Sequence, residues 1–263
     1  MDDDRPDLGA LRRTAETIAA EWGVELGEPF AMGRYSFVAP AGDDAVLKVT
    51  PAGDYDADHE ADGLEQWDGR GAVRLLRRDA ARRALLEERA RPGDDVAGLP
   101  EDEATAIAVA VGSALWSAPA RSPLRPVAEM IERWFAEAEA GGDDGVPLIP
   151  LARELLASLE IGDRTVVHGD FHHYNLVTHG TRHVAIDPKP YRGDPEFDVP
   201  TFLWNPIDMT TGNGSLPIER TLSRLAAFEA AGLDPWKMRA WTVIRGAYLG
   251  ADAEEQAVIR ALL

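Results

Sequence analysis

Apolar residues open the chain at Leu8, Leu11, Ile18, Ala19 and Trp22, close to a 3.6-residue period, and Gly23 follows as a stop. The spacing predicts a surface helix. The period then shortens: residues 30–39 and 45–50 are strand-like runs joined by a Pro, Gly and Asp turn at 40–44, which reads as an antiparallel hairpin. In the second run Val46, Lys48 and Thr50 share one face while Leu47 and Val49 share the other, so Lys48 points away from its apolar neighbours. Helical spacing returns over residues 56–67, where Glu60, Leu64 and Trp67 fall four and three apart.

Residues 72–76 and 84–87 read as two further strands around a turn at 77–79, and the Arg- and Pro-containing stretch 88–93 as the boundary between two halves of the chain. Backbone groups of that stretch could bond a nucleotide base. Beyond Pro100 the pattern becomes mostly helical. Helices are expected over 101–116, 126–140, 148–159, 218–231, 235–249 and 253–262. The stripe Val127, Met130, Ile131, Trp134 and Phe135 reads as core. Between these helices, 165–168, 176–178 and 183–186 read as short strands, 188–200 as loop, and Gly212-Asn213-Gly214 as a turn.

The three short strands frame the main chemical signal. Asp170 is followed five residues later by Asn175 and twelve after that by Asp187. A carboxylate to take a hydroxyl proton, with an amide oxygen and a second carboxylate to hold Mg²⁺, is the minimum set for kinase-type phosphoryl transfer. In that arrangement a strand lysine meets the α- and β-phosphates and a glutamate on the following helix steadies it. Lys48 and Glu60 are the expected pair. Glu65 is the alternative, since 60 and 65 lie about 500° apart around a helix and only one can look inward.

Five of the six histidines, 168, 172, 173, 179 and 183, crowd into one stretch, which raises a zinc reading. His168 and His172 suit a metal only on a helix, and Gly169 with the β-branched run before it argues against one. His168 is therefore expected to be structural, and His172-His173 to be partly exposed near a substrate mouth. No lysine follows a glycine, so there is no P-loop, and there is no Gly-x-Ser-x-Gly elbow for a hydrolase.

Composition adds limits. With 27 basic against 46 acidic residues the net charge is −19, which excludes nucleic acid as a natural partner and suits a cationic ligand. Only three of the basic residues are lysines, so a general compositional bias accounts for much of this acidity. Asp194, Glu196 and Asp208 are acids that could meet guanidinium or ammonium groups. Without cysteine there is no disulfide or thiolate metal site. The acidic N-terminus is unlike a secretory signal, and the apolar stretch at 104–120 is too short and too interrupted for a membrane span, so a soluble cytoplasmic protein is expected.

The run 168–176, His-Gly-Asp-Phe-His-His-Tyr-Asn-Leu, then Ile186-Asp187-Pro188-Lys189-Pro190 and Gly193-Asp194-Pro195-Glu196-Phe197-Asp198, resembles the aminoglycoside/hydroxyurea antibiotic resistance kinases, which include the streptomycin 6-phosphotransferases. Val46-Leu47-Lys48-Val49, Glu60 and the stretches 67–76 and 85–93 agree with it. The resemblance implies a bilobal, protein-kinase-like α+β fold: residues 1–90 form a small antiparallel β-sheet lobe for the nucleotide, and 91–263 a larger, mostly helical catalytic lobe. It implies Asp170 as base, Asn175 and Asp187 on Mg²⁺, and Lys48 with Glu60 on the phosphates of ATP. Ser36 of a nucleotide loop at 32–36, together with Glu87 and Arg89, would complete the nucleotide contacts. Asp198 would brace the catalytic loop, and Lys189 could screen the transferred phosphate. The implied activity is that of a monomeric small-molecule kinase phosphorylating a hydroxyl, with an aminoglycoside such as streptomycin as first acceptor. A kinase for an endogenous sugar or amino alcohol, or for hydroxyurea, and a nucleotide-binding module without transfer activity are the alternatives.

Overall fold

The structure is a computed structural model and describes residues 6–31, 35–205 and 218–263. Helix α1, Leu8–Trp22, starts where the Asp7 side chain accepts the Ala10 N–H at 3.0 Å and ends at Gly23 with φ of 70°. A carboxylate N-cap and a left-handed glycine are the expected local signals for both ends. Its buried residues Ala15, Ile18 and Ala19 pack on a four-stranded antiparallel sheet of order β1-β2-β4-β3. The strands are β1 Phe37–Ala41, β2 Ala45–Val49, β3 Leu75–Asp79 and β4 Ala84–Glu88.

Leu47 and Val49 face α1 and are fully buried, and so do their partners Ala39 and Phe37. The opposite face carries Val46 and Lys48 of β2 with Glu87 and Leu85 of β4. Two boundaries differ from expectation. Pro40 lies inside β1, which tolerates it as an edge strand, and the reversal falls at Gly42, with φ of 70°. Arg77, Arg78 and Asp79 continue β3 rather than turning, because the Asp79 carboxylate accepts the Arg82 N–H at 3.0 Å and so pins the reversal to the four residues after it.

Helix α2, Glu60–Trp67, begins four residues later than the apolar spacing suggests, after turns in which Asp54 accepts the Ala57 N–H. Its inner residues Leu64 and Trp67 join the larger hydrophobic cluster, not the small one beneath α1. That cluster is built by α3 Glu101–Trp116, α4 Val127–Gly141, α5 Ile149–Ser158, α7 Ile218–Ala230, α8 Pro235–Tyr248 and α9 Ala253–Ala261. The stripe Val127, Met130, Ile131, Trp134 and Phe135 is buried as expected. Helix α8 runs through the middle of this cluster, with Met238, Trp241 and Ile244 fully buried.

Short strands complete the fold. Strands β6 Thr165–Val167, β7 Leu176–His179 and β8 Arg182–Ala185 lie where the sequence predicts them, whereas β5 Pro92–Asp95 and β9 Tyr191–Gly193 lie where it predicts none. β5 pairs with β7 and β9 with β6, all antiparallel. The expected loop at 188–200 thus contains β9, a 3-10 turn at Pro195–Phe197 and the start of a short helix α6, Val199–Leu203. The turn expected at Gly212-Asn213-Gly214 lies outside the described residues. No helix among the described residues is long and apolar enough to cross a membrane.

Candidate active site

The β7–β8 hairpin pairs Leu176 with Ala185, so Asn175 and Asp187 leave it side by side, and the Ile186 N–H donates to the Asn175 carbonyl at 3.0 Å. Asn175 closes a 3-10 turn, His173–Asn175, and its side-chain amide donates to the Asp170 carbonyl at 3.0 Å. Asp187 adopts a left-handed φ of 53°, uncommon for a residue with a Cβ and frequent at functional turns.

Asp198 clamps the loop from below. Its Oδ2 accepts Trp116 Nε1 and the His168 N–H, and its Oδ1 accepts the Gly169 N–H, each at 2.8 Å. Arg245 donates to the carbonyls of Gly169 (2.8 Å) and Phe197 (2.9 Å) from the buried face of α8. Gly169 has φ of 80°, and a Cβ there would meet the Lys189 carbonyl oxygen at 2.0 Å, so only glycine fits. His168 is fully buried: Nδ1 accepts the Asp170 N–H at 3.2 Å, and Nε2 therefore carries the proton towards the Ile186 carbonyl at 3.1 Å. It is a structural histidine, as expected.

Asp170 presents its carboxylate to Lys189 Nζ at 3.4 Å and His172 Nε2 at 3.5 Å. Burial alone would raise its pKa, but Lys189 and then His172 and His168 outweigh it and hold the group below its ordinary value. Asp170 is thus ionised and paired only loosely, at the wall of the cavity that opens beyond it.

Lys48 joins the two halves of the chain. Its ammonium contacts Glu60 Oε1 at 2.6 Å and Asp187 Oδ1 at 2.5 Å. Burial opposes the charge on Lys48, and Glu60, Asp187 and Glu87 together override it and raise its pKa. An isolated ion pair would lower the glutamate while raising the lysine, yet burial raises both Glu60 and Glu87, with Lys48 opposing. One ammonium faces three carboxylates. The Lys48 charge holds Asp187, whose side chain is the half-exposed member, down at about 2, whereas burial pushes the two glutamates up. Glu65 is exposed and reaches Arg78 at 3.4 Å, which settles the choice between the two glutamates for Glu60. Ser36 is half-buried just before β1, and Met32, Gly33 and Arg34 of the expected nucleotide loop lie outside the described residues. Arg89 places its guanidinium over the Phe30 ring at 6.0 Å and donates its backbone N–H to the Asp44 carbonyl.

From Asp170 and Lys189 a cavity of about 580 Å³ opens, lined by Tyr55, Asp56, Trp134, Tyr191, Trp204 and Tyr248 among others. Among the described residues five carboxylates reach its wall, Asp56, Glu137, Asp143, Asp170 and Glu255, against two cations, Lys189 and Arg245. Polar contacts fix the rim: Tyr191 Oη donates to Asp56 at 3.2 Å, Tyr55 Oη donates to Glu137 at 3.0 Å, and Arg133 covers the Tyr55 ring at 3.8 Å. The apolar pattern of the sequence does not single out Tyr55, Asp56, Tyr191 or Trp204. Asp194 and Glu196, expected to meet cationic groups of a ligand, serve the fold: Asp194 accepts the Gly162 N–H and Lys237 Nζ, and Glu196 the Asp234 N–H. Asp208 lies outside the described residues.

His173 corrects a second expectation. It is 1% exposed, stacked on Phe202 at 4.0 Å and close to Arg224 Nη2 at 3.4 Å, rather than at a mouth. Burial, then the charge of Arg224, push its pKa down to about 3, with Glu101 opposing. The folded protein therefore keeps His173 neutral while the unfolded chain takes up a proton near the ordinary value of 6.5. Its stabilising contribution is complete above that pH, starts to fall below it and is gone near pH 3. At pH 5 the loss amounts to about 2 kcal/mol from this residue. Urea midpoints at pH 7 and pH 5 check it: the gap between them should narrow in His173→Gln, and an unchanged gap would remove His173 as a source of acid sensitivity.

Asn175 and Asp187 offer hard oxygen donors that suit Mg²⁺, and among the described residues no cluster of three or more His, Cys, Asp or Glu competes for a metal. The sequence profile of the aminoglycoside/hydroxyurea antibiotic resistance kinases matches residues 27–257. A hydroxyurea phosphotransferase of Kitasatospora aureofaciens is 34% identical over 264 aligned positions, covering 90% of this chain and 71% of the relative. A streptomycin 6-kinase of Streptomyces glaucescens is 31% identical over 261 positions, covering 89% and 80%. Among solved structures, the choline kinase LicA of Streptococcus pneumoniae superposes with a TM-score of 0.65 at 13% identity, covering 95% of this chain and 99% of that one. The aminoglycoside phosphotransferase APH(3'')-Id of Streptomyces rimosus, in complex with ADP and streptomycin, superposes at 0.61 and 18%, covering 92% and 99%. At such identities these two structures speak for the kinase-like fold, with its small antiparallel sheet and larger helical part.

Proposed function

Because the chain belongs to the aminoglycoside/hydroxyurea antibiotic resistance kinases, enzymes that phosphorylate small molecules, we propose that it transfers the γ-phosphate of ATP to a hydroxyl of a cationic aminoglycoside, with streptomycin as the first acceptor to test. The observation that carries this reading is Lys48 held between Glu60 and Asp187, which brings the strand lysine of the N-terminal sheet onto the segment that carries Asn175 and runs on to Lys189 beside Asp170. In this reading residues 1–90 bind the nucleotide and lend Tyr55 and Asp56 to the acceptor cavity, and 91–263 supply the catalytic loop and the rest of that cavity.

Lys48 binds the donor phosphates and Glu60 keeps its ammonium in place. Asn175 and Asp187 would hold Mg²⁺, which would supply charge neutralisation at the donor phosphates. Asp170 orients the acceptor hydroxyl and takes its proton, and Lys189 keeps that carboxylate ionised. Aromatic walls and carboxylates exclude water and attract ammonium or guanidinium groups. Little covalent work falls to the protein, so positioning and charge account for the rate.

Hydroxyurea is the second reading, supported by the 34% identity to a hydroxyurea phosphotransferase. The cavity of about 580 Å³ with five carboxylates on its wall favours the larger, charged acceptor over a small neutral one. An ADP-release assay against streptomycin, other aminoglycosides, hydroxyurea, amino sugars and amino alcohols tests both. Streptomycin is expected to stimulate ADP release most strongly; stimulation by hydroxyurea alone would transfer the assignment to it, and no acceptor-dependent release across the panel would overturn phosphotransfer.

A further inference from the structure

The carboxylates on the cavity wall are not equally free to meet a ligand. Glu137 is held by Arg133 at 2.8 Å and by the Tyr55 hydroxyl at 3.0 Å, and Asp170 faces Lys189 at 3.4 Å. Glu255 is committed to the cap of α9, where it accepts the Asp252 N–H at 2.9 Å, and Asp143 is exposed to solvent, where a partner adds little. Asp56 differs from all four. It is half-buried on the cavity wall and has no ion-pair partner among the described residues. Tyr191 Oη donates to its Oδ1 at 3.2 Å, which fixes the carboxylate, while Oδ2 has no hydrogen-bond partner among those residues.

This corner of the cavity is short of positive charge. Burial pushes the Asp56 carboxyl above its ordinary value, and the Lys189 charge and the Tyr191 hydrogen bond oppose that without restoring it. The ion pair that Lys189 makes is with Asp170. A carboxylate withdrawn from water and left without a counter-charge is stabilised by a cation that a ligand brings. Its place says where on the ligand that cation sits. Asp170 and then Asp56 are the charges that act most strongly on Lys189, so the two carboxylates flank one ammonium. Asp56 would therefore meet a group carried close to the reacting hydroxyl, not one at a remote end of the acceptor. Beside it, Tyr55 and Glu137 hold the Arg133 guanidinium, 3.8 Å from the ring centre, an instance within the protein of the ring-and-carboxylate contact that a guanidinium acceptor would make.

We propose that Asp56 determines the acceptor specificity of the cavity, receiving an ammonium or guanidinium group that lies close to the hydroxyl facing Asp170. The proposal rests on the cationic-acceptor reading above and names the residue that carries it. It is tested by titration calorimetry of the full chain with streptomycin and, separately, with the Mg²⁺ complex of ATP. Asp56→Asn keeps the shape of the side chain and an acceptor for Tyr191 Oη but removes the charge. It is expected to weaken streptomycin about tenfold or more while Mg-ATP affinity stays within about twofold of wild type. Added salt should shrink that gap, because a charge pair is screened and a packing defect is not. Asp56→Glu, which retains the charge, should recover part of the loss. Equal streptomycin affinity in wild type and Asp56→Asn, or an equal loss in both variants that salt does not alter, overturns recognition by Asp56 and leaves phosphotransfer standing. A wild-type protein that binds Mg-ATP but not streptomycin overturns the aminoglycoside reading and this inference with it.

Discussion

Asp170→Asn is expected to lower acceptor phosphorylation by about 10³-fold while leaving nucleotide affinity and the fold essentially unchanged. The amide keeps the shape of the side chain, and the loop keeps the backbone bonds that set its course, including the Asp170 N–H to His168 and the Asn175 amide to the Asp170 carbonyl. What is lost is the ability to take a proton from the bound hydroxyl. The defect should therefore appear in kcat, with KM for the acceptor moving little. Turnover of the variant within about tenfold of wild type would take the base assignment away from Asp170. Because Lys189, His172 and His168 outweigh burial and hold Asp170 below its ordinary pKa, this carboxylate stays ionised well into mildly acidic solution. An activity loss between pH 7 and 5 would thus arise from another group.

Asp198→Ala should act through stability instead. It orphans three buried donors at once, the Trp116 indole and the backbone N–H groups of His168 and Gly169. At about 1–3 kcal/mol for each orphaned group, with partial relaxation, the expected loss is roughly 3–5 kcal/mol. For a chain of this length that corresponds to a fall in Tm on the order of 10 °C. Calorimetry or urea unfolding reads it directly, and a loss under about 1 kcal/mol would mean that the loop is held by Arg245 without Asp198. In the proposed mechanism the two aspartates, separated by 28 positions, divide between chemistry and support.

Much of this was legible in one dimension where the cause of the structure is local. Helix α1 matched its apolar period because Asp7 and Gly23 mark its ends chemically. Lys48 and Glu60 could be paired because strand alternation and helix spacing each restrict which way a side chain can look. The strands β5 and β9 were missed for the opposite reason: they are short, carry Pro and Gly, and exist because β7 and β6 offer partners far away in the chain. His173 was misjudged because its burial depends on Phe202 and Arg224, whose proximity no spacing rule encodes. The acceptor cavity was the least visible part, since Tyr55, Trp134, Tyr191 and Trp204 come from four separate segments and only folding brings them to one wall.

Tyr55 and Asp56 stand just before α2, in the part of the chain proposed to bind the nucleotide, yet they form part of the wall of the cavity proposed to take the acceptor. The two halves are therefore not independent modules for recombination. A chimera that exchanged residues 1–90 between relatives of different acceptor preference would carry a piece of acceptor recognition along with the nucleotide site, and its specificity would follow neither parent. Within this architecture a change of acceptor has to be accompanied by changes on both sides of the 90/91 boundary.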